Sequence, residues 1–452
     1  MLNLPTRSLP FSVVRRLRSI FPAIASQKAK LSSGQSPPHG LGAHEVGTEV
    51  GALFIAPDGA GSLGDSAMIQ AGIAQLRQQG LEQFGVVYPQ YGADTPDWGH
   101  IPGLSTHLGL RYKPEDYLHE VRLALGRYWN GLEQFAQLAR QYGRVYCVGA
   151  DVMDGYYSLE ICQFLTGLLG LAAAAGAQTT LVGFSFNKTP KPEAVKWLRQ
   201  LPASVRLCAR DPLSQQRAEG CLDRPIELVA DAAFLLQPTV SNSQVQRLLD
   251  WIAAERSQNR MLIGININAM LLRAVEGLTV DQLVAHYSQT LQQLFEQNAQ
   301  DLEGRIDGLS FVMLPHDNRD EVHDLLLSQL TLAQLPETIR DRCSLLMLPC
   351  APGDVKRICQ DLDLVSTSRM HVAIAALGQG TPTLSIGYQD KHEGLYQHFN
   401  VPELLMSPAQ ALKPEGLLHF IQHHLLQQQQ LHQHLEQRLP HVMELSQKNF
   451  SA

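Results

Sequence analysis

The amino-acid sequence predicts an α/β protein: two Rossmann-like domains facing each other across a cleft, with a C-terminal helical tail. Short β-branched runs alternate with helical stretches along the body of the chain, as repeated βαβ units building parallel sheets require. The runs fall into two sets, and a Pro/Ser/Asn-rich stretch at Gln237–Ser243 separates them as an interdomain linker would. With 452 residues and 44% apolar content, the chain has ample material for more than one core.

Residues 1–45 stand apart. Arg7, Arg15, Arg16, Arg18, Lys28 and Lys30 are their only charges before Glu45, and Ser, Gly and Pro fill the second half. This composition predicts a disordered basic arm; a short amphipathic helix around Phe11–Ala25, touching an anionic membrane surface, is the other reading. Arg15, Arg16 and Arg18 interrupt the one candidate for a secretory apolar core. The first domain, 46–240, contains the strands Ala52–Ala56, Gly85–Tyr88, Val145–Val148, Thr180–Phe186, Val205–Cys208 and Ile226–Val229. Within it, the apolar run Phe164–Ala177 is shorter than the roughly 20 residues of a membrane span, and it sits between strands, so it reads as a buried crossover helix. The second domain, 241–410, contains Met261–Ile267, Leu309–Leu314, Leu345–Leu348, Leu362–Ser366 and Thr383–Tyr388, and a Gln- and His-rich helical tail occupies 411–452.

A formal charge of −7 argues against nucleic acid as a partner, since phosphate contacts need a basic surface. The seven cysteines lack CxxC spacing, and Cys147, Cys208 and Cys343 lie in strand-like runs, which reads as buried thiols in a reducing, cytoplasmic compartment. His419 and His423 stand four apart on a helical stretch, but no H-E-x-x-H accompanies them, so no metal site is expected. No G-x-S-x-G nucleophile elbow occurs.

Each domain opens its cleft side with a distinctive loop. After the first strand, Gly59-x-Gly61-x-x-Gly64 satisfies the dinucleotide-binding pattern, yet the second strand ends Val87-Tyr-Pro-Gln-Tyr91 without the acid that would hold a ribose, so no nicotinamide cofactor is expected. The glycines would instead let the backbone approach an acceptor sugar. Asp65 at the helix start is then a hydrogen-bond acceptor or base, or simply a helix cap. In the second domain, Ser366–Leu395 reads as a strand end, a loop with Arg369 and His371 at the mouth of a helix, another strand, and Lys391 just beyond it. Cationic side chains at the carboxyl ends of neighbouring strands, beside a helix N-terminus, suit a small multiply charged anion.

Arg369-x-His371, followed by Ile374, Ala376, Gly380 and Pro382, resembles the arginine–histidine block of the polysaccharide pyruvyl transferases, which move a pyruvyl group from phosphoenolpyruvate onto sugar hydroxyls. The resemblance runs through most of 50–405. Gly64-Asp65-x-Ala67 is similar to the family's G-D-x-A element, Ala209-Arg-Asp-Pro212 to its R-D element, and Asp231-Ala-Ala-Phe-Leu-Leu236 to its D-x-A-F-L-L. Gly264-Ile-Asn-Ile267 and Leu314-Pro-His-Asp317 occupy similar places in the second domain. One departure is Val148-Gly-Ala-Asp-Val-Met-Asp-Gly155, where carboxylates stand in place of a glycine-rich turn.

The resemblance implies a GT-B-like transferase with phosphoenolpyruvate as donor substrate, a glycan or lipid-linked sugar as acceptor, and no cofactor. Arg369, His371, Lys391 and His316 would bind the donor's carboxylate and phosphate, Arg369 through its planar fork. His371 also has the chemistry of a proton donor, while electrostatic and structural roles stay open. On the acceptor side stand Gly64, Asp65, Asp151 and Asp154, with the three carboxylates as alternative bases. His316 and Asp317 read equally as donor contacts or as a stabilised turn. The same architecture would also serve a glycosyltransferase using a nucleotide sugar, or a ligand-binding protein without turnover.

Overall fold

The computed structural model describes residues 51–57, 63–89, 104–110, 121–301, 308–317, 321–388 and 390–451. The arm at 1–45, together with Gly59 and Gly61, lies outside them.

Two wholly parallel sheets form the frame. The first carries β1 (Gly51–Ile55), β2 (Phe84–Pro89), β3 (Leu104–Leu110), β4 (Gly143–Val148), β5 (Gln178–Phe184), β6 (Arg206–Ala209) and β7 (Glu227–Leu228) in the order β3-β2-β1-β4-β5-β6-β7. The second carries β8 (Met261–Ile265), β9 (Leu309–Met313), β10 (Cys343–Leu345), β11 (Leu364–Thr367), β12 (Thr383–Ile386) and β13 (Leu405–Met406) in the order β10-β9-β8-β11-β12-β13. Parallel pairs demand crossovers, and the helices supply them: α1 (Leu63–Gln78), α2 (Val121–Tyr142), α3 (Leu159–Ala174), α4 (Pro192–Arg199) and α5 (Pro212–Leu222) serve the first sheet. In the second half follow α6 (Ser243–Ser257), α7 (Leu271–Ala274), α8 (Val280–Asp301), α9 (Asp324–Gln334), α10 (Glu337–Arg340), α11 (Pro352–Gln360), α12 (Met370–Leu377) and α13 (Lys391–Phe399). The short α14 (Pro408–Ala411) leads to α15 (Gly416–Leu425) and α16 (Gln428–Gln447).

Strand order reverses between β1 and β4 in one sheet and between β8 and β11 in the other. These are the switch points outside which open α/β sheets bind ligands. The start of α1, the loop after β4 and the loop after β11 therefore face the junction.

The strands are apolar because both faces of each sheet are covered. One core lies under α2, α3 and the outer face of the first sheet, and another under α6, α11 and the outer face of the second. The largest core is continuous through the junction, running from Phe54 and Ile69 to Ile374, Tyr396 and Phe450. The apolar run anticipated as a crossover helix is α3, between β4 and β5, and among the described residues no helix is long and apolar enough to cross a membrane. All seven cysteines are free thiols; burial pushes Cys208 and Cys359 up to about 12.

The tail does not end in its own half. From α16 the chain returns to the first sheet, where Phe450 is fully buried against Tyr146, with ring centroids 5.4 Å apart. Ser446 Oγ donates to the Asp231 carbonyl at 2.7 Å, Asn449 Nδ2 to the Ala230 carbonyl at 2.8 Å, and Arg206 to the Lys448 carbonyl at 2.6 Å. These bonds tie the chain terminus to the floor of the junction.

Candidate active site at the domain junction

His371 occupies the first turn of α12, just past the end of β11, and its ring crosses the junction to lie on Gly64 at the start of α1. A Cβ at position 64 would overlap the imidazole, so glycine is what lets the two halves close here. His371 Nε2 stands 3.8 Å from Asp231 Oδ2, and the ring stacks near-parallel to His316, 6.4 Å away between centroids. Burial pushes His371 down to about 4 despite the nearby Asp231 carboxylate. The imidazole is therefore neutral at neutral pH.

Lys391 opens α13 and reaches in the opposite sense, onto the first domain. Its ammonium pairs with Asp151, donates to the Tyr157 hydroxyl at 3.3 Å, and lies 5.5 Å from the ring centres of both Tyr157 and Tyr388. Burial alone would lower Lys391 and raise Asp151, but their mutual attraction wins and moves each the other way, so both are charged.

Arg369 is engaged within its own half. Its Nε and Nη2 grip Asp324 at 3.0 and 2.8 Å, and Nη1 donates to Asp317 at 3.2 Å. The side-on edge of the fork that was assigned to a donor is taken by a fully buried carboxylate of the same half, and three of the five N–H groups are spent. Asp324 also accepts from the backbone amides of Ala269 and His316, at 3.2 and 3.3 Å, so Arg369 locks the loops after β8, β9 and β11 together. Asp317 is thus an ion-pair partner, and His316 is buried behind it in contact with His371.

The carboxylate of Asp154 is buried and accepts from the amides of Tyr156 at 2.8 Å and Asn187 at 3.0 Å, so it pins the loops after β4 and β5. Asp65 lies in the first turn of α1, half-buried, next to the Gly64 that meets His371.

Two residues that sequence reading noted only as family landmarks belong to this junction. Arg210, after β6, is 1% exposed; it donates to Asp231 Oδ2 and Ser185 Oγ, each at 2.8 Å. Asp231 thereby stands between Arg210 and His371. Lys356 on α11 was not singled out at all: it is buried, donates to the Phe234 carbonyl at 2.6 Å, and burial lowers it to about 8. Together with His316 and His371 it lines a cavity of about 10 Å³, room for one water. A lysine inside an amphipathic helix pattern gives no advance sign of burial. Among the described residues no cluster of three or more His, Cys, Asp or Glu is placed to hold a metal ion.

The chain matches the polysaccharide pyruvyl transferase family over residues 63–390, and it belongs to that family. That span includes Gly64, Asp151, Arg210, Asp231, Arg369 and His371, and it ends one residue before Lys391. Among solved structures, the UDP-GlcNAc 2-epimerase of Neisseria meningitidis bound to UDP-GlcNAc is similar with a TM-score of 0.51 and 10% identity, covering 88% of this chain and 97% of that one. The sucrose-phosphate synthase of Thermosynechococcus elongatus is similar with a TM-score of 0.52 and 12% identity, over 88% and 96% of the two chains. At such identities the likeness shows the fold alone, which is GT-B-like: paired Rossmann-like halves about a cleft. No curated protein matches the chain in sequence.

Proposed function

We propose that this member of the polysaccharide pyruvyl transferase family takes phosphoenolpyruvate as donor and forms a pyruvyl ketal on two hydroxyls of a glycan or lipid-linked sugar, without a cofactor. The observation that carries the reading is the convergence of Arg210 and His371, inside the span that matches the family, with Lys391 just beyond it at the domain junction. Ammonium and guanidinium suit the donor's carboxylate and phosphate.

The chemistry needs a proton on the methylene carbon, attack of one sugar oxygen on the neighbouring carbon, and departure of phosphate as the second oxygen closes the ketal. Of the two hydroxyl protons released, one replaces the proton given to the methylene carbon and the other leaves with phosphate. His371 is the proton donor in this reading. Its imidazole starts neutral, and a multiply charged donor beside it favours the imidazolium, raising its affinity for a proton as the substrate arrives. Asp151 and Asp65, on the first-domain side, are the candidate bases. In this reading the enzyme works in the cytoplasm, and the all-basic charge of 1–45 suits contact with an anionic membrane surface.

Mass spectrometry of candidate sugars incubated with phosphoenolpyruvate tests the proposal through the mass added by a pyruvyl ketal and the release of phosphate. Stabilisation by UDP but not by phosphoenolpyruvate in thermal unfolding, with no ketal formed, would replace this reading by a nucleotide-sugar transferase.

A further inference from the structure

Three cations of the junction are paired with carboxylates. Arg210 pairs with Asp231, Arg369 with Asp324 and Asp317, and Lys391 with Asp151, while His371 is held neutral by burial. An anionic donor that takes one of these three cations must compete with the carboxylate already on it.

The carboxylates differ in how firmly they are held. Asp231 and Asp324 are 1% and 0% exposed, and each also accepts from backbone amides, Asp231 from Ala233 and Asp324 from Ala269 and His316. Asp317 is 14% exposed and shares Arg369 with Asp324. Asp151 is 29% exposed, and among the described residues Lys391 is its hydrogen-bond partner. The residue before it, Ala150, sits at φ +44°, a left-handed conformation that alanine adopts at a cost and of the kind that clusters at ligand clamps and switch regions.

We propose that Asp151 is an internal stand-in for the donor anion: it holds Lys391, is displaced when the donor's carboxylate or phosphate takes Lys391, and thereby makes donor binding a competition against the protein's own side chain. The identity of that donor rests on the function proposed above, but the displacement concerns any anion that reaches Lys391. Asp151 is a positioning residue here, setting the donor threshold and keeping Lys391 in place.

Asp151→Asn keeps the shape and removes the competing charge. By calorimetry at fixed ionic strength it should bind phosphoenolpyruvate and inorganic phosphate at least about tenfold more tightly than the parent, because a like charge against the ligand has been removed. The gain should vanish in the double variant Asp151→Asn/Lys391→Met, which a general loosening of the loop would not produce. Affinity that is unchanged or weaker for both anions overturns the inference. A gain for phosphate alone, with phosphoenolpyruvate bound by neither protein, sustains the stand-in and removes the donor reading. Should Asp151→Asn fail to fold, Asp151→Ser is judged by the same comparison.

Discussion

At Arg369 a guanidinium that looked free for a substrate is engaged by its own half of the molecule, and that changes what its loss should do. Asp324 is fully buried, and removing its partner leaves a charge that the interior solvates poorly. Arg369→Ala should therefore cost about 3 kcal/mol or more in urea unfolding, and Arg369→Lys should recover only part, since an ammonium cannot span both oxygens of Asp324. A variant that melts like the parent but no longer binds phosphoenolpyruvate would return Arg369 to donor recognition. His371 should behave oppositely. With a ring that reaches across the junction and stands 3.8 Å from Asp231, His371→Asn should leave the fold and most donor affinity intact and slow turnover by roughly two to four orders of magnitude, the range for a lost general acid. Equal losses in binding and rate would assign it to recognition alone.

Between elements, the closest approach at the junction is α1 against α12. Gly64 is in the first turn of α1, where alanine would ordinarily favour the helix by up to about 1 kcal/mol. Here its Cβ would overlap the His371 ring, which must turn away. Gly64→Ala should fold, yet lose at least about tenfold in turnover, because small displacements of a reacting group are costly. Unchanged turnover with His371 intact would show that the ring is not held where chemistry needs it. The sequence made the glycine, the histidine and Lys391 visible, because each lies at a strand-to-helix turn whose position follows from the βα alternation. It also made most strands visible, since a strand covered on both faces is a continuous apolar run. It missed β3 and β13, one an edge strand with polar residues along it and the other only two residues long. The pairings were the illegible part: that Asp151 answers Lys391, or that Asp324 answers Arg369, depends on loops 240 and 45 residues apart meeting in space, which no local pattern encodes.

The molecule as a whole is held together at the junction by buried neutral histidines, a continuous apolar core and the returning tail, and that combination has a pH signature. His371 is held down to about 4 by burial, and His398, buried with its Nε2–H on the Arg210 carbonyl at 2.9 Å, is lowered in the same sense and for the same reason. Unfolded, each would take a proton near its ordinary value of about 6.5. Between that value and the folded one the unfolded chain binds more protons, so stability falls with falling pH across this window and is fully present above it. For His371 alone the loss amounts to about 2 kcal/mol on going from pH 7 to pH 5, and about 3 kcal/mol once pH 4 is passed. Asp151 acts at lower pH: its carboxyl is held below the ordinary value by Lys391, so its share is present above about 3.8 and disappears only in stronger acid. Urea unfolding at pH 7 and pH 5 separates the contributions. The parent should lose stability over this interval, and His371→Asn, which has no imidazole to protonate, should lose about 2 kcal/mol less than the parent does. If both lose the same amount, His371 is solvated well enough to take its proton in the folded state, and the closed, water-poor junction that its depressed basicity implies does not exist in solution.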